Sequence, residues 1–313
     1  MIKKLSIAVV LLNYNTEEDL FVSVEQISRQ IGIDLITIVV DNASSSKCVK
    51  NIKSWATTFD LNAFSSSKDE IFGLMENNNL DKKSYKTFFI YNHENKGYSA
   101  GNNIGIRIAD YLDVDAVLIA NPDMRFENEN YVYELTKTLF SNDTYAVASS
   151  KIIGLDGKDQ SPLREANFYE ELLWPKMLFP RIFNTDSYIL SYDTDKITTV
   201  PKVMGCCLML KMDFLRTINY FDENTFLYCE EPILSAQIKA KNNQIIFNPK
   251  IEAIHAHKAS EKGNSSKRML LFIKSRKYYL KQYSGYNQIQ LMLLNFSYAV
   301  LAILHYIKSK VRK

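Results

Sequence analysis

Short apolar runs alternate with longer polar or amphipathic stretches along the first half of the chain. The stretch that opens at Thr16 has acidic residues in its first turn and places Leu20, Val24 and Ile27 on one face, which predicts a helix. Strands alternating with helices predict an α/β fold with a mostly parallel, Rossmann-like sheet flanked by helices. Five apolar runs predict its strands, at residues 6–12, 35–40, 87–91, 116–120 and 145–149.

The pattern is less regular in the segments between and after these strands. Residues 59–86 are polar, and we expect a helix with loops there and no chemistry. Residues 156–184 mix proline and aromatic residues without clean periodicity, which indicates a lid or an acceptor-binding excursion. The apolar run around Gly205 then predicts a further strand.

The C-terminal segment has a different character. Residues 289–307 are uncharged and mostly apolar, but polar side chains interrupt the run and its length is borderline for a bilayer span. Flanking basic residues and many tyrosines favour a helix that lies in the membrane interface. A helix packed on the body or on a second subunit, which would make a homodimer, and a true span are the alternatives.

Composition and charge support a large domain with an appendage. The chain has 313 residues, of which 46% are hydrophobic and 23% charged, as in ordinary globular proteins. From Lys258 onward, 12 Lys and Arg residues face the single acid Glu261. We therefore predict a catalytic domain over 1–260 and a basic helical tail over 261–313 that contacts an anionic membrane surface. Its uncharged aromatic run fits lipid better than nucleic acid, so no nucleic-acid partner is expected.

The cysteines and the N-terminal residues indicate the cellular compartment in which the protein is expected. The four cysteines show no C-x-x-C spacing, so we expect a reducing cytosol and neither disulfides nor structural zinc. The start MIKKLSIAVVLLNYN resembles a signal peptide, but the apolar run is short and stops at Asn13. We interpret it as the first strand.

Polar clusters follow four of the predicted strands, and parallel strands present their carboxyl ends on one side of a sheet. These clusters, in VLLNYN, VVDNAS, ENKGYSAGNN and ANPD, predict a single crevice. The glycines of the third cluster are spaced every fourth residue, which is not G-x-G-x-x-G, and no P-loop motif occurs. Both observations disfavour a dinucleotide-binding oxidoreductase and a P-loop enzyme. His255 and His257 alternate, so they point the same way if the segment is extended and could bind one ligand.

Six motifs together resemble a known family. VVLLNYN, VVDNAS, NKGYSAGNN, ANPD, FDENTFLYCEE and IHAHKAS occur in the order and spacing typical of family 2 glycosyltransferases with the GT-A fold, especially bacterial rhamnosyltransferase-like members. The resemblance spans roughly residues 5–260. It implies transfer of a sugar from a nucleoside diphosphate sugar with inversion of configuration.

The resemblance assigns donor-binding roles to the strand ends. It implies that Asp41 accepts a hydrogen bond from the nucleobase, and that Asn121-Pro122-Asp123 stands at the Asp-x-Asp motif. Asp123 would bind a divalent cation, Mg²⁺ or Mn²⁺, with His255 as a further ligand. Asn121 in place of the first acid removes one charge from the motif. The remaining residues expected to line the nucleotide site are Asn13, Tyr14, Asn15, Asn95 and Gly97.

The acceptor side is implied in the same way. Glu231 stands at the position of the catalytic base, Glu230 precedes it, and Ile233 occupies the place of a second acid. Because adjacent side chains diverge, we expect only one glutamate to face the acceptor, and we favour Glu231. Acceptor or phosphate contacts are expected from Gly205, His257 and Lys258. The family's arginine after this helix is missing.

The sequence thus predicts a metal-dependent transferase at the cytoplasmic face of the cell membrane. It would move rhamnose, galactose or a similar sugar from a UDP- or dTDP-linked donor to a hydroxyl of a surface polysaccharide or lipid-linked glycan. A non-catalytic nucleotide-binding scaffold is one alternative, suggested by Asn121 and Ile233. The other is a nucleotidyltransferase, which would use a triphosphate substrate and would not need Glu231.

Overall fold

The computed structural model describes residues 5–173, 188–257 and 265–311. The strands are β1 (Ser6–Asn13), β2 (Asp34–Asn42), β3 (Phe64–Ser67), β4 (Thr87–Asn92), β5 (Ala116–Ala120), β6 (Met124–Arg125), β7 (Tyr145–Gly154), β8 (Thr198–Val200), β9 (Cys207–Lys211) and β10 (Gln244–His255). The helices are α1 (Glu17–Ser28), α2 (Ser46–Phe59), α3 (Lys68–Glu76), α4 (Tyr98–Tyr111), α5 (Tyr131–Leu139), α6 (Phe168–Leu172), α7 (Met212–Thr217), α8 (Glu230–Ala240), α9 (Ser265–Gln282) and α10 (Gln288–Val311).

The strands form one mixed sheet in the order β3-β4-β2-β1-β5-β9-β7-β10-β6, with β8 paired to β10. Strand β1 pairs in parallel with β2 and β5, whereas β9 runs antiparallel between β5 and β7. The carboxyl ends of β1, β2, β4 and β5 therefore lie along one edge. This arrangement confirms the α/β fold and the mostly parallel sheet that the sequence predicts.

Helices cover both faces of the sheet, because the central strands are apolar on both sides. One face packs against α3, α4, α7 and α8, and the other against α1, α2 and α5. In α1 the predicted residues Leu20, Val24 and Ile27 are all buried. Burial on both faces fixes the register of the strands and hence the positions of the polar residues that follow them.

The prediction for residues 59–86 is wrong at one point. Residues Phe64–Ser67 form an edge strand, β3, which pairs in parallel with β4. The sequence FSSS shows neither an apolar run nor clear alternation, so its strand character comes from main-chain hydrogen bonds to β4. Tertiary context overrides propensity in such short edge strands.

The C-terminal helices form a hairpin that packs on the body. Helices α9 and α10 share a third apolar core with Cys229, Ile233 and α6. Residues 288–307 are long and apolar enough to cross a membrane by length and composition, and 17% of that window is buried inside the protein. The predicted division at residues 260 and 261 falls outside the described residues and stays a prediction.

Candidate functional site

The ends of β1 and β2 are joined by buried side chains. Asn13 Nδ2 donates to Asp41 Oδ1 at 2.8 Å and to Ser44 Oγ at 3.2 Å, and Asp41 Oδ2 accepts from the Ser44 amide at 3.1 Å. Both Asn13 and Asp41 are almost fully buried. The structure therefore brings these two predicted nucleotide-site residues together, and it shows that each oxygen of Asp41 already has a protein partner.

Tyr14 and Asn15 form the rim of this site. Tyr14 is 53% exposed, so this site has an aromatic side chain on its solvent side. Asn15 has a φ of 55°, and its Oδ1 accepts from the Ser45 amide at 2.8 Å. That bond, between a side chain and a backbone amide, fixes the loop that carries the exposed tyrosine to the start of α2.

The loop after β4 contacts the segment that leads to the predicted catalytic residues. Asn95 Oδ1 accepts from the Gly97 amide at 2.9 Å and from Asn42 Nδ2 at 3.1 Å. Gly97 has a φ of 105°, and a Cβ there would lie 2.1 Å from the Phe226 carbonyl oxygen. The adjacent Tyr98 amide donates to the same carbonyl at 2.9 Å. Only glycine fits this close crossing of two backbones.

Asp123 lies in a cluster with both histidines of the IHAH motif. Pairing of β6 with β10 places Met124 opposite His255 and so brings the two segments together. Asp123 Oδ2 lies 3.3 Å from His255 Nε2 and 3.3 Å from His257 Nδ1. Burial of the carboxyl raises the pKa of Asp123, but the hydrogen bond from His255 and the two imidazoles outweigh it and lower that pKa.

These three residues fit a divalent cation. One potential ligand atom from each lies within 4.8 Å of the others. Asp123 Oδ1 is buried and has no hydrogen-bond partner among the described residues. An unpaired buried carboxylate oxygen is costly unless a cation binds it. The sequence places His257 with phosphate or acceptor contacts, whereas the structure places it against Asp123.

Gln160 is a site residue that the sequence does not reveal. Its Oε1 lies 2.8 Å from His255 Nδ1, on the opposite side of the ring from Asp123. Such a partner fixes the orientation and tautomer of a metal-binding histidine. Gln160 belongs to the segment without periodicity, so no pattern in the sequence points to it.

The two adjacent glutamates begin α8 and have different surroundings. Glu231 Oε1 accepts from the Gly205 amide at 3.2 Å, and the Gly205 carbonyl accepts from the Tyr98 hydroxyl at 2.7 Å. Glu230 Oε1 is buried without a hydrogen-bond partner among the described residues. Burial, together with the charge of Glu231, raises the pKa of Glu230 to about 8. The near neighbour of Gly205 is thus Glu231, and contact with an acceptor sugar stays a prediction.

The turn before these glutamates is strained. Tyr228 and Cys229 have φ values of 74° and 68°, although neither is a glycine. Left-handed backbone at a bulky residue costs about 1–3 kcal/mol and is concentrated at functional sites. The hydrogen bond from Ser275 Oγ to the Leu227 carbonyl, at 2.7 Å, and the Gly97–Phe226 crossing hold this turn from both sides.

Glu231 opens onto a cleft of 340 Å³. Asn121, Gly205, His255 and Glu230 line the same cleft, so the structure brings five predicted site residues together. Two further lining residues, Phe272 and Arg276, come from α9 and were not predicted. They share one face of that helix with Tyr279, which a pattern of spacing could have indicated.

Not every predicted residue is in this cleft. Asn13, Tyr14, Asn15 and Asp41 lie at the ends of β1 and β2 and are not among its lining residues. Lys258 lies outside the described residues. The site therefore has two parts, one at the ends of β1 and β2 and one around Glu231, with Asp123 beside the second.

Known proteins provide a comparison for this architecture. No protein-family model matches the chain. A curated relative, the low-salt glycan biosynthesis hexosyltransferase Agl10 of Haloferax volcanii, is 25% identical over 252 residues. This alignment covers 80% of the chain and 66% of the relative, so the chain spans just under two thirds of that protein's length.

Several solved structures share the fold at low identity. The mannosyltransferase PcManGT of Pyrobaculum calidifontis, in complex with GDP-mannose and Mn²⁺, aligns with a TM-score of 0.57 at 15% identity over 98% of this chain and 74% of that one. GalNAc-T7 with UDP, GalNAc and Mn²⁺ gives 0.61 at 12% identity, over 91% and 49%. TarS of S. aureus, residues 1–349, gives 0.51 at 11% identity, over 93% and 69%. The chain has the GT-A fold, and these relatives are glycosyltransferases.

Proposed function

We propose that this chain is a metal-dependent, inverting glycosyltransferase that moves a hexose from a nucleoside diphosphate sugar to a hydroxyl group. One observation carries the proposal: the Asp123–His255–His257 cluster and the Glu231 carboxylate belong to one crevice, because His255 and Glu231 line the same cleft. A carboxylate–imidazole cluster suits the diphosphate side of the reaction. A separate carboxylate suits the acceptor side.

The donor nucleoside binds at the ends of β1 and β2 in this proposal. The exposed Tyr14 ring would stack on the base, and Asp41 would accept a hydrogen bond from it beside its bond from Asn13. Asn15, Asn95 and Gly97 hold the loops that frame the nucleotide. Two structural neighbours contain GDP-mannose or UDP, which supports a nucleotide-sugar donor; the choice of UDP or dTDP rests on the sequence resemblance.

Asp123, His255 and His257 would hold the divalent ion. When bound, it would neutralise the charge that develops on the leaving diphosphate. Imidazole ligands are softer than the oxygens that Mg²⁺ prefers, so this ligand set favours Mn²⁺ over Mg²⁺. Two of the structural neighbours contain Mn²⁺, which agrees with this choice.

Glu231 is the proposed base. It removes the proton of the acceptor hydroxyl as that oxygen attacks the anomeric carbon from the side opposite the diphosphate, which inverts the configuration. The Gly205 amide holds Glu231 Oε1, and Oε2 is the atom that we assign to the proton. Burial and the neighbouring charge of Glu231 raise the pKa of Glu230, which favours its protonated form over the carboxylate that a base requires.

The acceptor would be a hydroxyl of a bacterial surface polysaccharide or of a lipid-linked precursor, and the sugar rhamnose, galactose or a related hexose. The resemblance to rhamnosyltransferases and the glycan role in the relative's name support this class. The cytoplasmic location is also a proposal, and a homodimer stays the alternative to membrane contact for the C-terminal helix.

Calorimetry tests the donor and metal site directly. UDP, dTDP and GDP are titrated into wild-type protein and Asp123→Asn, with Mn²⁺, with Mg²⁺ and without metal. We expect one nucleotide to bind tightly with Mn²⁺ and about tenfold or more weakly without it, and Asp123→Asn to lose the metal dependence. Gln160→Leu should weaken Mn²⁺ binding by about tenfold, because it frees the His255 ring.

The matched control is Asp113→Asn, which removes an exposed carboxylate from the turn between α4 and β5, at the opposite edge of the sheet, and should bind like the wild type. Absence of nucleotide binding under all conditions would contradict the proposal. Metal-dependent binding without any sugar transfer would favour the non-catalytic scaffold. Pyrophosphate release from a triphosphate would favour the nucleotidyltransferase.

A further inference from the structure

Helix α10 presents a continuous apolar face to solvent. The exposed side chains recur every three or four residues, which places them on one face of the helix. Their exposed fractions range from 37% for Val300 to 73% for Phe296. The members of this face, which we call the α10 face, are Ile289, Met292, Leu293, Phe296, Val300, Ile303, Leu304 and Ile307.

The opposite side of α10 packs on the protein and carries the polar contacts. Tyr298 is buried and its hydroxyl donates to Glu171 Oε2, while Ser297 Oγ donates to the Leu172 carbonyl at 2.9 Å. Leu294 and Leu301 pack against α9. Both sides of α10 are therefore apolar, whereas a surface helix in water turns a polar side to the solvent. An exposed apolar patch of this extent indicates an interaction surface.

We propose that the α10 face lies in the interfacial region of an anionic lipid bilayer, and that the acceptor is therefore a lipid-linked saccharide. The second part rests on the proposed function, whereas the first does not. Together, the two parts specify which side of the molecule faces the lipid and which class of acceptor this orientation favours.

The charge around the α10 face selects lipid over a second copy of the chain. No acidic residue follows Glu261 in the sequence. On the neighbouring helix α9, Lys267, Lys274 and Lys281 recur every seven residues and are exposed. Exposed basic side chains on the helix that packs against α10 attract anionic headgroups. Two copies joined through this face would bring two basic hairpins together without acidic partners.

The buried contacts of α10 favour an interfacial position over a span. A spanning helix would have to leave the body, which would break the hydrogen bond from Tyr298 to Glu171 and uncover the apolar core that α10 shares with α9. Losing both a buried hydrogen bond and packed apolar surface costs free energy. The helix can therefore place its outer face in lipid while its inner face stays on the protein.

The same hairpin connects the lipid-facing side to the cleft at Glu231. Phe272 and Arg276 of α9 line that cleft, and they also line a smaller pocket of 190 Å³ together with Tyr298 of α10. The cleft wall and the α10 face are thus parts of one helical hairpin. An acceptor whose lipid lies in the membrane would present its saccharide beside this wall.

Vesicle sedimentation tests the surface. Protein is mixed with vesicles of phosphatidylethanolamine and phosphatidylglycerol, or with phosphatidylcholine alone, and the pelleted fraction is measured. We expect the wild type to bind the anionic vesicles and Phe296→Ser/Ile303→Ser to bind them about tenfold or more weakly. The control Leu61→Ser/Leu155→Ser removes exposed apolar side chains elsewhere and should bind like the wild type.

Three results would overturn the proposal. The wild type could fail to bind the anionic vesicles; sedimentation velocity could show a dimer that the α10 variant breaks; or vesicle-bound protein could resist extraction with alkaline carbonate, as a spanning protein does. Thermal unfolding confirms that each variant is folded. Because neither donor nor acceptor is added, failure of the proposed enzymatic function would leave the vesicle result unchanged.

Discussion

At the residue scale, Glu230 and Glu231 show how position within one turn determines chemistry. Both begin the same helix, yet Glu231 has a backbone amide as partner, while Glu230 is buried and its Oε1 has no hydrogen-bond partner within the described part of the chain. The sequence alone leaves open which of them is the base. Burial and hydrogen bonding distinguish the two glutamates, and neither property can be predicted from two adjacent identical residues in a sequence.

The two glutamates therefore make a matched pair for mutagenesis. Glu231→Gln should lower kcat by about a hundredfold or more, because it removes the proposed base, while nucleotide binding stays near the wild-type level. Glu230→Gln copies the shape of the protonated acid and should lose less than about tenfold at neutral pH. Equal losses in kcat from the two variants would contradict the assignment of Glu231.

Glu230 also predicts how stability depends on pH. Its pKa is about 8 in the folded protein against a reference value of 4.5, so the folded state holds a proton that the unfolded state has released between these values. Stability from this group must then fall as pH rises through that window. Denaturant unfolding measured between about pH 6 and about pH 8 should show the free energy of unfolding fall by about 2 kcal/mol. Glu230→Gln should abolish this decrease. A parallel decline in this variant would show that another group is responsible.

Individual site residues are predictable where a strand end fixes them. Asp123 follows an apolar strand, and the family resemblance joins it to His255, but their contact depends on the pairing of β6 with β10, which no apolar run predicts. Gln160 lies in an irregular segment, and Phe272 and Arg276 lie on a tail helix that the sequence predicts to be separate from the catalytic domain. Their contacts depend on how distant segments pack, which local patterns do not encode.

At the scale of elements, helix α4 lies unusually close to the sheet. A Cβ at Gly105 would lie 2.5 Å from Val10 Cγ1, and Val10 is a buried residue of the central strand β1. The fourth-residue spacing of Gly97, Gly101 and Gly105 thus reflects helix–sheet packing along one helix face, in addition to the tight turn at Gly97. Close packing explains this spacing, which resembles the dinucleotide-binding motif G-x-G-x-x-G only in being rich in glycine.

This packing predicts opposite effects of one substitution at two helical glycines. Gly105→Ala should lower the free energy of unfolding by about 1–3 kcal/mol, because Val10 is β-branched, buried and unable to move aside. Gly73→Ala in α3 has no atom within 4 Å of the new Cβ and should raise it by up to about 1 kcal/mol. Denaturant titration measures the change in the free energy of unfolding for each variant. Destabilisation of similar size at the two sites would show that contact with Val10 is not the cause.

At the scale of the whole molecule, a buried ion network joins the C-terminal hairpin to the body. Arg276 pairs with Glu171 on α6, and its Nη2 lies 3.4 Å from Glu165, which in turn pairs with Lys202 at 2.6 Å. The sequence predicts the α/β body, the order of its central strands along the chain and a helical tail. It does not predict this docking, because Arg276 lies more than 100 residues from both acids that it pairs with.

The network predicts a large cost for removing its central cation. Arg276→Ala should lower the free energy of unfolding by about 3–5 kcal/mol, since it leaves the buried Glu171 carboxylate without its ion pair. Arg216→Ala is the matched control: its side chain also pairs with acids, Asp110 and Asp213, but is 42% exposed, and its loss should cost less than about 1 kcal/mol. Equal losses in denaturant unfolding would refute a structural role for the network.

The crossing of Gly97 over Phe226 has a consequence for how such a chain can evolve. The loop after β4 and the turn before Glu231 lie more than 120 residues apart, yet they share a carbonyl that receives the Tyr98 amide and excludes any side chain at position 97. Neither loop can lengthen or shift alone without losing that contact. Related chains should therefore vary these two loops together, and insertions should accumulate elsewhere, at sites such as the exposed turn at Gly157.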